Sequence, residues 1–278
     1  MTTATTAAAT RERFRPNTVT LGLLRAGLEI RQFFRGRESM IFSFAFPIML
    51  LVIFAAIFNF DVVPGVKFTQ YFIAGMIAAA QLTNGFQTLA IQIPIERDRG
   101  VLKRLAGTPM PPGAYFIGKV VMVYTIGVIE TAILLAIAAT FYDLPLPSSP
   151  EKWLTFVWVS MLGIAACTLC GIAFSSIPRE GKRAPAVVTP VALVLQFISG
   201  VFFVFTNLPT WMQQIAAVFP LKWMTQGMRS VFLPDSFASQ EAGGSWELGR
   251  VALILGAWVV VGFVLCLLTF RWTAKEDR

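Results

Sequence analysis

The sequence predicts an all-α integral membrane protein. Hydrophobic residues occupy 56% of its 278 positions and charged residues only 14%, whereas about a quarter of the residues in a soluble domain are charged. A helix needs about 20 apolar residues to cross a bilayer, and six stretches meet that length. Because hydrocarbon offers the backbone no hydrogen-bond partner, each should be helical. The predicted spans are residues 40–60, 68–93, 120–142, 153–177, 184–205 and 251–270.

Two segments precede the first span. Residues 1–17 are rich in Thr, Ala and Arg and have no apolar core, which predicts a disordered cytoplasmic arm rather than a signal peptide. Residues 18–38 form a predicted amphipathic helix that lies at the membrane interface. Leu21, Leu24 and Leu28 recur there at helical spacing, with basic residues between them. An ordinary soluble amphipathic helix is the alternative, but the position directly before a span favours the interfacial one.

The basic residues predict the orientation. Of the 23 Lys and Arg residues, 18 lie before the first span, in residues 94–119, in residues 178–183 or after the last span. The positive-inside rule makes that side cytoplasmic, so both termini should face the cytoplasm of a cell with this protein in its inner (plasma) membrane. The same distribution accounts for the net charge of +8 without a nucleic-acid partner.

Several kinds of chemistry are excluded or disfavoured. The chain has no histidine, which rules out His-dependent catalysis and His-ligated metals. Cys167 and Cys170 have the spacing of a redox pair but lie in an apolar span. Gly163, Cys167 and Gly171 form a stripe of small residues on that span, which we interpret as a helix-packing surface. Residues 113–120 approach a phosphate-binding loop but lack its hydroxyl and its preceding strand. We predict no catalytic residue, no metal ligand and no cofactor in this chain, which is therefore not an enzyme.

Two of the segments that connect the predicted spans have sequences that predict local structure. Residues 206–250 form a long segment on the external side, and its apolar part, residues 208–220, is too short to cross. We predict a re-entrant or interfacial helix there, before the sixth span. On the opposite side lies the loop of residues 94–119, which contains Glu96-Arg97-Asp98-Arg99-Gly100-Val101-Leu102-Lys103-Arg104-Leu105-Ala106-Gly107-Thr108-Pro109.

That loop predicts a short helix between Gly100 and the Thr108-Pro109 pair. Val101, Leu102 and Leu105 would then share one face, which suits a groove on a partner protein. A solvated loop that only sets the topology is the alternative, and it would explain the charges but not the ordered Gly, Leu and Pro positions.

The run resembles the signature loop of type 2 ATP-binding-cassette (ABC-2) export permeases, and the similarity extends over the N-terminal helix, the six spans and the external segment. The resemblance implies that two permeases, identical or related, pair with two cytoplasmic ATPase subunits, which bind the ATP and Mg²⁺. It also implies that closure of the ATPase dimer reaches the spans through the loop. The residues that it assigns to coupling are Glu96, Arg97, Arg99, Gly100, Leu102, Leu105, Thr108 and Pro109.

Polar residues inside the spans are costly and therefore informative. Glu130 lies near the middle of the third span, where it either contacts a substrate or proton or forms an interhelical hydrogen bond. The second span carries polar residues along one predicted face, which points to a polar pathway or to hydrogen-bonded packing. The candidate pathway residues are Gln81, Asn84, Thr88 and Glu130, with Gln196 and Ser199 of the fifth span opposite them.

The function predicted from these observations is an ATP-driven export permease. Its cargo would be an amphipathic or hydrophobic drug, antibiotic or lipid, which connects the protein to efflux and antibiotic resistance; polysaccharide export is the alternative within the family. An ion-driven transporter or channel would be expected to show more than one intramembrane carboxyl or an inverted repeat. A membrane enzyme would need a catalytic cluster. Membrane lipid, the ATPase and a second permease copy are the predicted partners.

Overall fold

A computed structural model describes residues 17–58, 60–142, 144–147 and 149–270, with only the backbone of residues 38 and 39. The predicted N-terminal arm, apart from Asn17, and the C-terminal tail lie outside these residues. The described chain is almost entirely helical, and four of its helices are long and apolar enough to cross a membrane. The predicted all-α membrane class is therefore confirmed.

Within the described residues there are eleven α-helices, numbered in chain order. They are α1 (Thr18–Arg35), α2 (Arg37–Ile57), α3 (Phe68–Leu82), α4 (Thr88–Asp98), α5 (Val101–Ala106), α6 (Pro112–Phe141), α7 (Pro150–Phe174), α8 (Ala184–Ile198), α9 (Thr210–Val218), α10 (Pro220–Phe232) and α11 (Leu248–Thr269).

A short hairpin follows α2. Its strands, β1 (Asp61–Val63) and β2 (Val66–Lys67), are antiparallel, and Gly65 between them has a φ of 84°, a conformation that glycine adopts without strain. The sequence reading did not predict these strands. The four helices that satisfy the length and hydropathy requirement are α2, α6, α7 and α11.

The second and fifth predicted spans take less regular forms. The second is α3 followed without a break by a π-helical turn, Thr83–Gln87, and then by α4, so the helix continues beyond residue 93 to Asp98. The fifth is α8, which ends at Ile198 rather than at the predicted residue 205. Gly200 explains this early end, because its φ of 75° is left-handed and incompatible with a continuing right-handed helix.

Helix α1 packs lengthwise on α6. A Cβ on Gly22 would lie 2.5 Å from the Ile117 side chain, and one on Gly118 would lie 2.7 Å from that of Arg25, so two glycines permit the close approach. Leu24 and Leu28 are on the opposite face and are exposed. The helix thus has a packed face and an uncovered apolar face, an arrangement that fits a position at the membrane interface. Arg25 pairs with Glu29 at 2.5 Å instead of pointing to lipid.

The segment before α11 is folded into the molecule. Helix α9 forms where the apolar stretch predicted a helix, and Pro220 then begins a second helix, α10, at the position that proline favours. Every residue of α10 is buried, and the helix packs against α3, α7 and α11. The sequence reading did not predict α10 as a separate helix.

Two cations on α10 are buried, and one of them, Arg229, holds this arrangement. Arg229 donates to both carboxylate oxygens of Glu241, at 2.5 and 3.0 Å, and lies over the ring of Tyr71 on α3. Such bidentate pairs have the geometry that suits guanidinium best. Lys222 donates to Gln226, and burial lowers the pKa of Lys222 to about 8. The pair of Arg229 and Glu241 therefore fixes α10 to the chain that follows it and to α3.

We expect Gly171→Ala to destabilise the fold. Gly171 on α7 faces the π turn, and its Cβ would lie 2.7 Å from the carbonyl oxygens of Gly85 and Phe86, so the two helices would have to separate at a cost of about 1–3 kcal/mol. Thermal unfolding in detergent should show a lower midpoint for this variant. The control is Gly256→Ala on α11, where a Cβ meets nothing within 4 Å; equal midpoints for the two variants would contradict the expectation.

Candidate functional site

The predicted coupling residues lie at the basic end of α4, beside α1 and α6. Glu96 accepts hydrogen bonds from the Tyr115 hydroxyl at 2.9 Å and from the ammonium group of Lys119. Lys119 is fully buried and also donates to Glu29 at 3.0 Å. One ammonium group on α6 therefore joins a carboxylate on α1 to a carboxylate on α4. Helix α1, α6 and the second predicted span are thus connected in one unit by ion pairs.

The next two residues of α4 connect it to the segment between α7 and α8. Arg97 donates to the carbonyl oxygen of Ser175 at 3.2 Å. Asp98 accepts a hydrogen bond from the backbone N–H of Gly181. A Cβ on Gly181 would lie 2.6 Å from the Cα atom of Ile95, so only glycine permits this contact. Glu96, Arg97 and Asp98 thus hold the end of α4 in place, because each of their side chains bonds to a different part of the protein.

Helix α5 follows after a sharp turn. Gly100 has a φ of 69°, which explains why glycine stands there, and Thr108 closes the far end by donating to the carbonyl oxygen of Leu105 at 2.7 Å. Leu102 is fully buried in the core formed with α4 and α6, while Leu105 is half-buried.

This placement corrects one expectation and divides the coupling residues into two groups. Leu102 packs into the core and anchors α5 to the protein, so it is not part of an exposed apolar face with Val101 and Leu105 that a partner could bind. Glu96 and Arg97 likewise face inward. The exposed residues of the loop include Arg99, Lys103, Arg104, Thr108 and Pro109, and Asp98 at the end of α4 is exposed as well.

The sequence reading missed the partners of this unit. The sequence pattern does not identify Glu29, Tyr115, Lys119 or Gly181 as functional residues, although two of them carry a usable signal. Glu29 is an acidic residue in a helix of basic ones, and Lys119 directly precedes an apolar span. Two opposite charges at the ends of neighbouring apolar helices indicate a pair, but only the fold shows which pair forms.

The polar residues of the second predicted span do not share one face. Gln81 donates to the hydroxyl of Ser160 on α7 at 3.0 Å, and Asn84 donates to the carboxylate of Glu130 on α6. The Thr88 hydroxyl donates to the carbonyl oxygen of Thr83 within the same helix. The π turn accounts for this, because its extra residue rotates the following helix and breaks the predicted alignment of these residues along one face.

Two hydrogen bonds join the second and fifth predicted spans. Gln196 on α8 donates to the hydroxyl of Thr83 at 3.4 Å, and Gln87 donates to that of Thr189 at 3.3 Å. Ser199 is buried, and its carbonyl oxygen accepts from Thr225 on α10 at 2.9 Å, while its hydroxyl has no hydrogen-bond partner among the described residues. Gln81 and Asn84 face α6 and α7, away from α8.

The chain matches a known family over most of its length. Residues 26–233 match the family model described as "ABC-2 type transporter". The chain belongs to the ABC-2 family. Its members are membrane-embedded transport permeases, which agrees with the resemblance seen in the loop sequence.

Two curated relatives from Escherichia coli strain K12 show how distant the similarity is. The "Probable multidrug ABC transporter permease YbhR" is 22% identical over 197 residues, which are 70% of this chain and 52% of the relative. The "Inner membrane transport permease YadH" is 22% identical over 213 residues, 75% of each chain. The chain therefore spans about half the length of YbhR and three quarters of that of YadH.

Replacing Lys119 with methionine should strongly destabilise the protein. The change leaves the carboxylates of Glu29 and Glu96 without their shared cation, and removing one partner of a buried ion pair costs roughly 3–5 kcal/mol. The measurement is the yield of monodisperse protein and its unfolding midpoint. Lys182→Met, which alters an exposed lysine on the same side, is the control. A Lys119→Met protein as stable as this control would show that the three-helix junction is not needed.

Glu130→Gln and Glu130→Leu separate the two roles considered for this residue. Glutamine keeps an oxygen that accepts from Asn84, whereas leucine leaves the Asn84 amide unpaired, at a cost of about 1 kcal/mol. We expect Glu130→Leu, but not Glu130→Gln, to lower the unfolding midpoint. Transport that survives in Glu130→Gln would assign Glu130 a structural role, and transport lost from a stable Glu130→Gln protein would assign it to the substrate or proton path.

Proposed function

We propose that this chain is the membrane-spanning subunit of an ATP-driven exporter and that a separate cytoplasmic ATPase drives it. The observation that carries the proposal is the junction at the basic end of α4. There, a short helix with an exposed basic surface is attached without a flexible linker to a helix that continues into the membrane.

The attachment suits the transmission of force. Helix α5 is connected to α4 by Arg99 and Gly100 alone, and Leu102 fixes it to the core. Helix α4 continues through the π turn into α3. A push on α5 therefore reaches the interior of the second predicted span directly, and through Lys119 it also reaches α1 and α6.

The exposed surface of α5 indicates the chemistry of the partner. This surface carries several positive charges, from Lys103 and Arg104 and from Arg99 just before the helix. A groove lined with carboxylates on the ATPase would therefore complement it. ATP and Mg²⁺ would bind to that ATPase, in keeping with the incomplete phosphate loop at residues 113–120.

The proposed cargo is an amphipathic or hydrophobic molecule that leaves the cytoplasm. The spans contain one carboxyl group, Glu130, and it is paired with Asn84, so a strongly charged cargo would find few partners. One relative is described as a multidrug permease, which supports the same class. The exposed apolar faces of α2 and α8 would be covered by lipid and by a second permease, identical or related, in a plasma membrane with the basic side toward the cytoplasm.

Reconstitution tests the proposal directly. Lipid vesicles that contain this chain together with its ATPase should move a fluorescent amphipathic drug across the bilayer only when ATP is present on the side of the ATPase. Vesicles with the ATPase alone are the control. Cargo movement by this chain alone, without ATPase or ATP, would contradict the proposal.

Gly100→Pro and Leu105→Asp should uncouple ATP hydrolysis from export. Proline cannot adopt the left-handed conformation of Gly100, and aspartate would place a negative charge at the half-buried base of α5. We expect normal membrane insertion, retained ATPase activity and export reduced at least tenfold, measured in the same vesicles. Gly100→Asn, which tolerates the left-handed region, and Leu105→Met are the matched controls. Export at the control level in both uncoupling variants would contradict the assignment of this loop to coupling with the ATPase.

A further inference from the structure

A groove of about 410 Å³ lies between α6 and α7, with Gln81 of α3 at its base. Thr131 and Gly127 of α6 form part of one wall, and Phe156 and Ser160 of α7 form part of the other, with Trp153 lining the end nearer the start of α7. No ionised side chain lines it.

The base of the groove holds a hydrogen-bond acceptor without a partner. Gln81 is only 1% exposed, and its Nε2 atom donates to Ser160. Its Oε1 atom is buried and has no partner within the part of the chain that the structure describes. In hydrocarbon an unpaired carbonyl oxygen is unfavourable because no water can reach it, so this atom indicates a ligand that brings a donor.

The surroundings of the groove are apolar and uncovered. Val128 on α6 is 63% exposed, and Leu154 and Met161 on α7 are 67% and 54% exposed. In a membrane protein such side chains face lipid, so a molecule dissolved in the bilayer can enter sideways without crossing water.

The depth of Gln81 excludes the headgroup of an ordinary phospholipid as the donor. Gln81 lies near the middle of the second predicted span, residues 68–93. Since the hydrocarbon is roughly 30 Å thick, a headgroup stays about 15 Å away. An acyl chain could fill the groove, but it carries no donor at that depth.

We propose that the groove binds an apolar molecule that enters from the bilayer and donates a hydrogen bond, from a hydroxyl or amide N–H group, to Oε1 of Gln81. This inference rests on the proposed function in naming the class of cargo, and it places the first binding step between the third and fourth predicted spans. Gln81 is the residue that selects a donor-bearing molecule over plain hydrocarbon.

Binding to the purified chain in lipid nanodiscs, without ATPase or ATP, tests the site. The probes are a brominated long-chain secondary alcohol and the matching brominated alkane, and the signal is bromine quenching of Trp153 fluorescence, isolated by comparison with Trp153→Phe. We expect the alcohol to bind about tenfold more tightly than the alkane, the difference that one hydrogen bond supplies. Gln81→Leu should abolish that difference, so that the alcohol and the alkane bind equally well.

A second pair of variants does not depend on Gln81. Ala132→Phe fills the groove from its lipid side, and Ala136→Phe places the same ring one turn further along α6, outside the groove; both alanines are exposed, so neither change disturbs packing. We expect Ala132→Phe to weaken binding of both probes and Ala136→Phe to weaken neither. Equal binding of alcohol and alkane to the unmodified chain, or full binding to Ala132→Phe, would overturn the inference.

The outcome is separable from that of the proposed function. If the alcohol binds as expected while vesicles with ATPase and ATP export nothing, the exporter proposal fails and the binding site stands. If export proceeds while Gln81→Leu binds both probes as the unmodified chain does, the site is wrong and the exporter proposal stands.

Discussion

Hydrocarbon provides no hydrogen-bond partner, and this constraint shapes the middle of the protein. Polar residues on the second predicted span find partners on three other helices: Asn84 on α6 through Glu130, Gln81 on α7 through Ser160, and Gln87 on α8 through Thr189. The π turn contributes to this spread, because its extra residue rotates the residues that follow it relative to those that precede it. The same requirement gives significance to the side-chain carbonyl oxygen of Gln81, which has no partner among the residues that the structure describes.

At the basic end, charge replaces neutral hydrogen bonds as the connecting interaction. Lys119 joins α1, α4 and α6, and the two residues after Glu96 fix α4 to the segment after α7. The signature loop therefore has two layers. Its inward residues hold the helix ends together, and its outward residues offer a basic surface. Under the proposed function, substitutions in this one short sequence would therefore affect stability at some positions and binding of the ATPase at others.

The sequence predicts those features of the fold and of the candidate site that depend on residues close together in the chain. Composition and apolar length gave the membrane class, and Gly100 with Thr108-Pro109 bounded α5 correctly, because these are local effects. The π turn has no side-chain signature, so the sequence does not reveal that Gln81 bonds to α7 and Asn84 to α6. The end of α8 lies just before Gly200, which has a left-handed φ and where a Cβ would lie 2.8 Å from Phe205 and 3.1 Å from the Tyr71 hydroxyl, contacts with residues distant in sequence. The ion pairs of Lys119 depend on residues distant in sequence, which no local pattern contains.

The Glu29–Lys119 pair also has a consequence for biosynthesis. The two residues are 90 positions apart, and ribosomes add about 5–20 residues per second. The N-terminal helix must therefore wait roughly 5–20 s after its own synthesis before its binding surface on α6 exists. During that interval its leucine face can rest on the membrane surface, which keeps the nascent chain close to the point where its later helices insert.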